Sequence, residues 1–149
     1  MASLLCMIAI FWFSSQNAEQ SGEMSLSLTH RIFGTIGGWV GVDEIEPFID
    51  ILDMLVRKSA HLVIYGILGF CVSNTIMQIT ENKRYIFWIS LVWCSFYAAT
   101  DELHQHFVPG RAGMWQDWVL DTVGALIGIG AAFFISSLIY KYREKKNKS

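Results

Sequence analysis

Between Asp101 and Asp121 the chain reads DELHQHFVPGRAGMWQDWVLD, with four carboxylates, two histidines, two glutamines and an arginine set between two very apolar segments. Charges at the edge of a membrane span are expensive to hold and tend to mark functional sites. Carboxylates and imidazoles near one another can move protons, and an arginine offers a planar fork to phosphate or carboxylate oxygens. A second polar group, Arg57, Lys58, His61 and Tyr65, opens another apolar run. No serine or cysteine stands in the context of an activated nucleophile, so a covalent route would fall to a histidine or a carboxylate. The histidines and acids carry no H-x-x-x-H or H-E-x-x-H spacing, so no metal ligand is assigned and the cofactor is left unknown.

The elements that must position these groups are helices. Of 149 residues, 53% are hydrophobic and 16% charged, and the mean hydropathy is +0.39. That composition fits an integral membrane protein of one domain. Spans are predicted over about 1–13, 51–79, 85–106 and 115–140, with a basic tail at 141–149. The first is short: thirteen helical residues cover about 20 Å of a roughly 30 Å hydrocarbon core. The expectation is that the natural chain begins upstream of Met1. Leu26, Leu28, Ile32, Phe33 and Ile36 suggest a short amphipathic helix lying on the membrane surface, and Pro47 suits the first turn of the next helix. TENKR (80–84) and Val108–Arg111 read as turns. Cys6, Cys71 and Cys94 lie in apolar runs and read as packing residues, not as a disulfide framework. The absence of a long basic run outside the tail, and of a stacking platform, argues against nucleic acid.

At 100° per residue, Lys58, His61 and Tyr65 fall within about 60° of one another, with Gly69 continuing their stripe. Glu102 and Gln105 share a face, with His106 beside them and Asp101 offset; His104 points the opposite way and reads as structural. Asp117, Asp121, Gly124 and Gly128 form one narrow stripe. Small residues at this spacing let membrane helices approach closely, so the polar groups in line with them should point into the bundle. The expected fold is an all-α, four-helix membrane bundle whose polar faces meet in one pocket, with Arg111 delivered by the turn. The bland readings are a structural ion network for the acids and snorkelling for Arg57 and Lys58.

Charge sets the orientation. TENKR carries two and the tail five of the eleven Lys and Arg, with only two of the thirteen acids. The positive-inside rule then puts both termini in the cytoplasm and the polar pocket outside.

These motifs carry a resemblance. Lys58-x-x-His61-x-x-x-Tyr65, Asp101-Glu102-x-x-Gln105-x-Phe107-Val108-Pro109-Gly110-Arg111, Asp117-x-x-x-Asp121-x-x-Gly124 and the Ser14-Ser15-Gln16 step resemble the VanZ-like membrane proteins. At position 121 many relatives carry Asn, so Asp121 adds a negative charge. The resemblance implies a bacterial cell-membrane protein, reduced teicoplanin susceptibility, and action on a lipid head group. His61, Glu102, Asp117, Asp121 and Asp101 are the catalytic candidates; Lys58, Arg111, Gln105, Tyr65 and Arg57 are the substrate-binding ones. The expected partner is a membrane lipid or lipid-linked cell-wall precursor, with the phosphoester or head group as target of a hydrolase or transferase. The alternative is a non-catalytic protein that binds or shields the precursor or the antibiotic. Proton or ion transport is disfavoured, because the inner halves of 62–79 and 124–140 carry no acid or base to relay a charge.

Overall fold

The computed structural model describes residues 1–16, 22–29, 31, 48–109 and 114–147. Among these the regular structure is helical: α1 (Ala2–Ser14), α2 (Ile49–Met77), α3 (Lys83–His106) and α4 (Trp115–Asn147), with a short helix over 22–29. The surface helix expected near 26–36 is described only to residue 29 and at Arg31; Ile32, Phe33, Ile36 and Pro47 lie outside the described residues.

The boundaries have local causes. Asn82 caps α3, its Oδ1 accepting from the backbone N–H of Arg84 at 3.1 Å and of Tyr85 at 3.3 Å, which satisfies two of the donors a helix start leaves open. Lys83 and Arg84 therefore belong to the first helical turn, and the connection between α2 and α3 is the shorter stretch 78–82.

α2 and α4 form the most extensive helix pair, and α3 packs against both. Glycine makes that closeness possible. A Cβ on Gly124 would stand 2.5 Å from the Leu62 carbonyl oxygen, and one on Gly128 would run into the Gly66 carbonyl. The stripe of Gly124 and Gly128 is thus a backbone-to-backbone contact, as its spacing indicated. α1 lies against α2 and α3, and the Tyr97 hydroxyl donates to the Met7 carbonyl at 2.6 Å.

Polar groups share the interior with an apolar core that includes Ile10, Leu68, Val72 and Cys94, and large apolar side chains also face outward. Ser73, Ser90, Asp101, Glu102, Gln105 and Asp121 are buried, while Trp88, Val92, Phe96, Val63, Ile127 and Phe134 are each more than half exposed. Ile51–Met77 and Trp115–Asn147 are long and apolar enough to cross a membrane, their most apolar stretches reaching mean hydropathies of 1.6 and 2.1. α1 is too short at 13 residues. α3 has 24 residues but is polar at both ends, at Lys83-Arg84 and from Asp101 to His106.

Candidate functional site

The first half of α2, the last turns of α3 and the first turns of α4 meet at one end of the molecule. They enclose an open cavity of about 370 Å³, lined by Asp53, Met54, Arg57, Lys58, His61, Glu102, Gln105, Met114, Asp117 and Leu120. Of the residues singled out in the sequence, Arg57, Lys58, His61, Glu102, Gln105 and Asp117 line it. Tyr65, Asp101 and Asp121 are buried and do not line it. Arg111 and Gly110 lie outside the described residues.

At the cavity wall the charges are paired. Lys58 Nζ donates to Asp117 Oδ1 at 2.8 Å, joining α2 to the first turn of α4. Arg57 Nη2 donates to Asp53 Oδ2, one helical turn back, at 3.2 Å and reaches Ser25 Oγ at 3.4 Å. Glu102 Oε2 accepts from the Met114 backbone N–H at 3.0 Å. A carboxylate from α3 thereby holds the start of α4, where helix geometry leaves N–H groups open and favours negative charge.

Below the wall the polar groups lose their partners. Asp101 Oδ2 still accepts from Ser14 Oγ at 2.8 Å and from Gln105 Nε2 at 3.1 Å. Asp121 is completely buried, and among the described residues neither of its oxygens finds a hydrogen bond. His61 Nδ1 stands 3.5 Å from Asp121 Oδ1, within ion-pair range but long for a hydrogen bond, and makes none among the described residues. The Tyr65 hydroxyl approaches Asp101 without completing a bond. Each such group costs about 1–3 kcal/mol, more when charged. A fold that retains several in one place has a use for them, or a ligand that satisfies them.

Two positions show what the helical wheel leaves open. Asp101, offset on an ideal wheel, is buried, because α3 is covered both by α1, through Ser14, and by α4. His106, placed beside Glu102, is exposed at the last residue of α3. His104 stacks on Phe11 with ring centroids 4.9 Å apart, as a packing residue would.

A second cavity, about 260 Å³, opens between α1, the 22–29 helix and α2. Ile10, Phe13, Met24, Leu28, Val56, Ala60 and Ile64 make most of its wall, with Ser14, Gln16 and Ser25. Arg57 and His61 line this apolar cavity as well as the polar one.

A family profile described as VanZ/LLP1 matches residues 1–136. The chain belongs to the VanZ/LLP1 family. No curated protein and no solved structure matches it. The VanZ/LLP1 match takes in every helix that contributes to the two cavities and ends within α4, short of the basic tail. Two residues of this VanZ/LLP1 site were not assigned from the sequence. Asp53 was detectable, since it precedes Arg57 by four and such pairs face each other on a helix. Ser14 lies in the Ser14-Ser15-Gln16 motif, but its contact with Asp101 joins residues 87 apart and has no local signature.

Proposed function

We propose that this VanZ/LLP1 protein is a multi-span bacterial cell-membrane protein that takes the head group of a membrane lipid or lipid-linked cell-wall precursor into its polar cavity and acts on the phosphate ester there. The observation that carries this reading is the pair of adjoining cavities, one charged and one apolar, sharing Arg57 and His61. An amphiphile has the matching form: an anionic head for the first, a chain for the second.

The exposed apolar side chains and the two long apolar helices support a bilayer setting. In hydrocarbon, apolar side chains face outward and polar ones must be satisfied inside. α3 has Trp88, Val92 and Phe96 exposed and at 24 residues spans about 36 Å, so we count it with α2 and α4; α1 completes a four-helix arrangement. The basic residues of 78–84 and the tail lie at the ends of the helices away from the polar cavity. The positive-inside rule puts those ends in the cytoplasm and the cavity at the outer leaflet.

Lys58 and Arg57 would exchange their carboxylate partners for phosphate oxygens, Lys58 as a point charge and Arg57 as a fork; Arg111, the third cation expected from the sequence, lies outside the described residues. His61 and Glu102 are the proton-transfer candidates, one lining both cavities and the other leaving Oε1 without a partner among the described residues. Gln105, Asp117 and Tyr65 position the ligand or these groups. The reaction class is phosphoester hydrolysis or head-group transfer, and lowered teicoplanin susceptibility would be a consequence of altering such a precursor.

One observation favours a non-catalytic alternative, in which the protein binds or shields the precursor or antibiotic: no serine, threonine or cysteine is among the described residues lining the polar cavity. Turnover separates the two. The purified protein in nanodiscs would be incubated with labelled undecaprenyl-linked and glycerophospholipid substrates, with products followed by mass spectrometry. Glu102→Gln and His61→Ala are each expected to lower the rate by about 10²–10⁴-fold. Retention of lipid without any product would overturn the enzymatic reading and leave the binding one.

A further inference from the structure

The buried floor of the site is built from three helices. One donor atom each from His61 on α2, Asp101 on α3 and Asp121 on α4 lie within 4.8 Å of one another. The cluster is not merely acidic. Asp121 is fully buried with both oxygens unpartnered among the described residues, and His61 Nδ1 and the fully buried Tyr65 hydroxyl are unpartnered beside it. Three elements thus deliver lone pairs to one point where the protein supplies too few donors.

We propose that His61, Asp101 and Asp121 bind a divalent transition-metal cation of the zinc or manganese class. The geometry is within reach of coordination. For three atoms within 4.8 Å of one another there is a point no more than about 2.8 Å from each, so inward shifts of at most about 0.7 Å reach the roughly 2.1 Å of a zinc–nitrogen or zinc–oxygen bond. Two carboxylates match the dication's charge. The imidazole nitrogen selects against calcium and magnesium, which prefer all-oxygen shells. Three protein ligands leave coordination positions for water or a phosphate oxygen, the arrangement of an open site. The ligands come from separate helices, so no local spacing marks them in the sequence. With the cation on Nδ1, the other ring nitrogen keeps its proton as a donor, and proton transfer falls to Glu102.

This inference stands without the lipid reading, and its test separates the two. The full chain, purified in detergent and stripped with a chelator, would be reloaded with Zn²⁺ or Mn²⁺, freed of excess and assayed for bound metal by mass spectrometry. The wild type and Lys58→Ala should each retain about one ion per chain, whatever Lys58→Ala does to lipid binding; Asp121→Asn should retain under about a tenth as much. Saturating Zn²⁺ should raise the wild-type melting temperature by about 5–10 °C and leave Asp121→Asn unmoved. The stripped Asp121→Asn should melt close to the stripped wild type, since it removes a buried carboxylate that has no hydrogen bond among the described residues and keeps the shape. No retention by the wild type, or equal retention by Asp121→Asn, would overturn the proposal and leave ordered water as the partner of these groups.

Discussion

The seam between α2 and α4 has two unlike halves. Toward Gly66, Gly69, Gly124 and Gly128 the backbones touch, and beyond them Ser73 Oγ donates to Ser90 Oγ at 3.1 Å. Toward Lys58, His61, Asp117 and Asp121 the helices hold a cavity open, and His61 Nδ1, Glu102 Oε1 and both Asp121 oxygens have no hydrogen bond among the described residues. Same helices, same pairing, opposite treatment of polar atoms: the closed half supplies rigidity, and the open half sets costly groups around a space of ligand size. At the wall Lys58–Asp117 and Arg57–Asp53 are ion pairs, although Glu102 Oε1 goes without a hydrogen bond among the described residues; at the floor both Asp121 oxygens go without one.

The closed half should be the more sensitive to volume. Gly128→Leu places a side chain where even a Cβ meets the Gly66 carbonyl, and the expected loss is at least about 3 kcal/mol, the upper range of overpacking. Gly130→Leu, two residues on, meets nothing within 4 Å and should stay within about 0.5 kcal/mol of wild type. Denaturant titration in detergent reads both; equal losses would remove the close contact as the explanation. A smaller effect is expected at Ser73. Ser73→Ala should cost about 1–3 kcal/mol by leaving the Ser90 hydroxyl buried and unmatched, and Ser73→Ala with Ser90→Ala together should cost less than the single change.

Much of this arrangement was legible in the sequence. The stripes Lys58-His61-Tyr65, Glu102-Gln105 and Asp117-Asp121-Gly124-Gly128 each face the neighbouring helices, because a period of 3.6 residues fixes which side chains share a side. The helical class followed from the same periodicity and the hydropathy. What the wheel could not show is how many sides of a helix are covered. Asp101 is buried because α3 has neighbours on more than one side, and Ser14 reaches it from the end of α1. The division into a charged and an apolar cavity also escaped, since it depends on how the 22–29 helix sits against α2.

The most direct test of a single amphiphile site is the affinity of the protein in nanodiscs for a labelled short-chain anionic phospholipid, compared with its soluble head group. Lys58→Ala removes a cation from the polar cavity, and because the Lys58–Asp117 pair is about a third exposed the protein should keep its stability to within about 1 kcal/mol. Ala60→Trp fills the apolar cavity that Ala60 lines. Each change is expected to weaken phospholipid binding by about tenfold or more, and only Lys58→Ala to weaken binding of the head group alone. Unchanged phospholipid affinity in Ala60→Trp, or equal effects of both variants on the soluble head group, would contradict the two-cavity account.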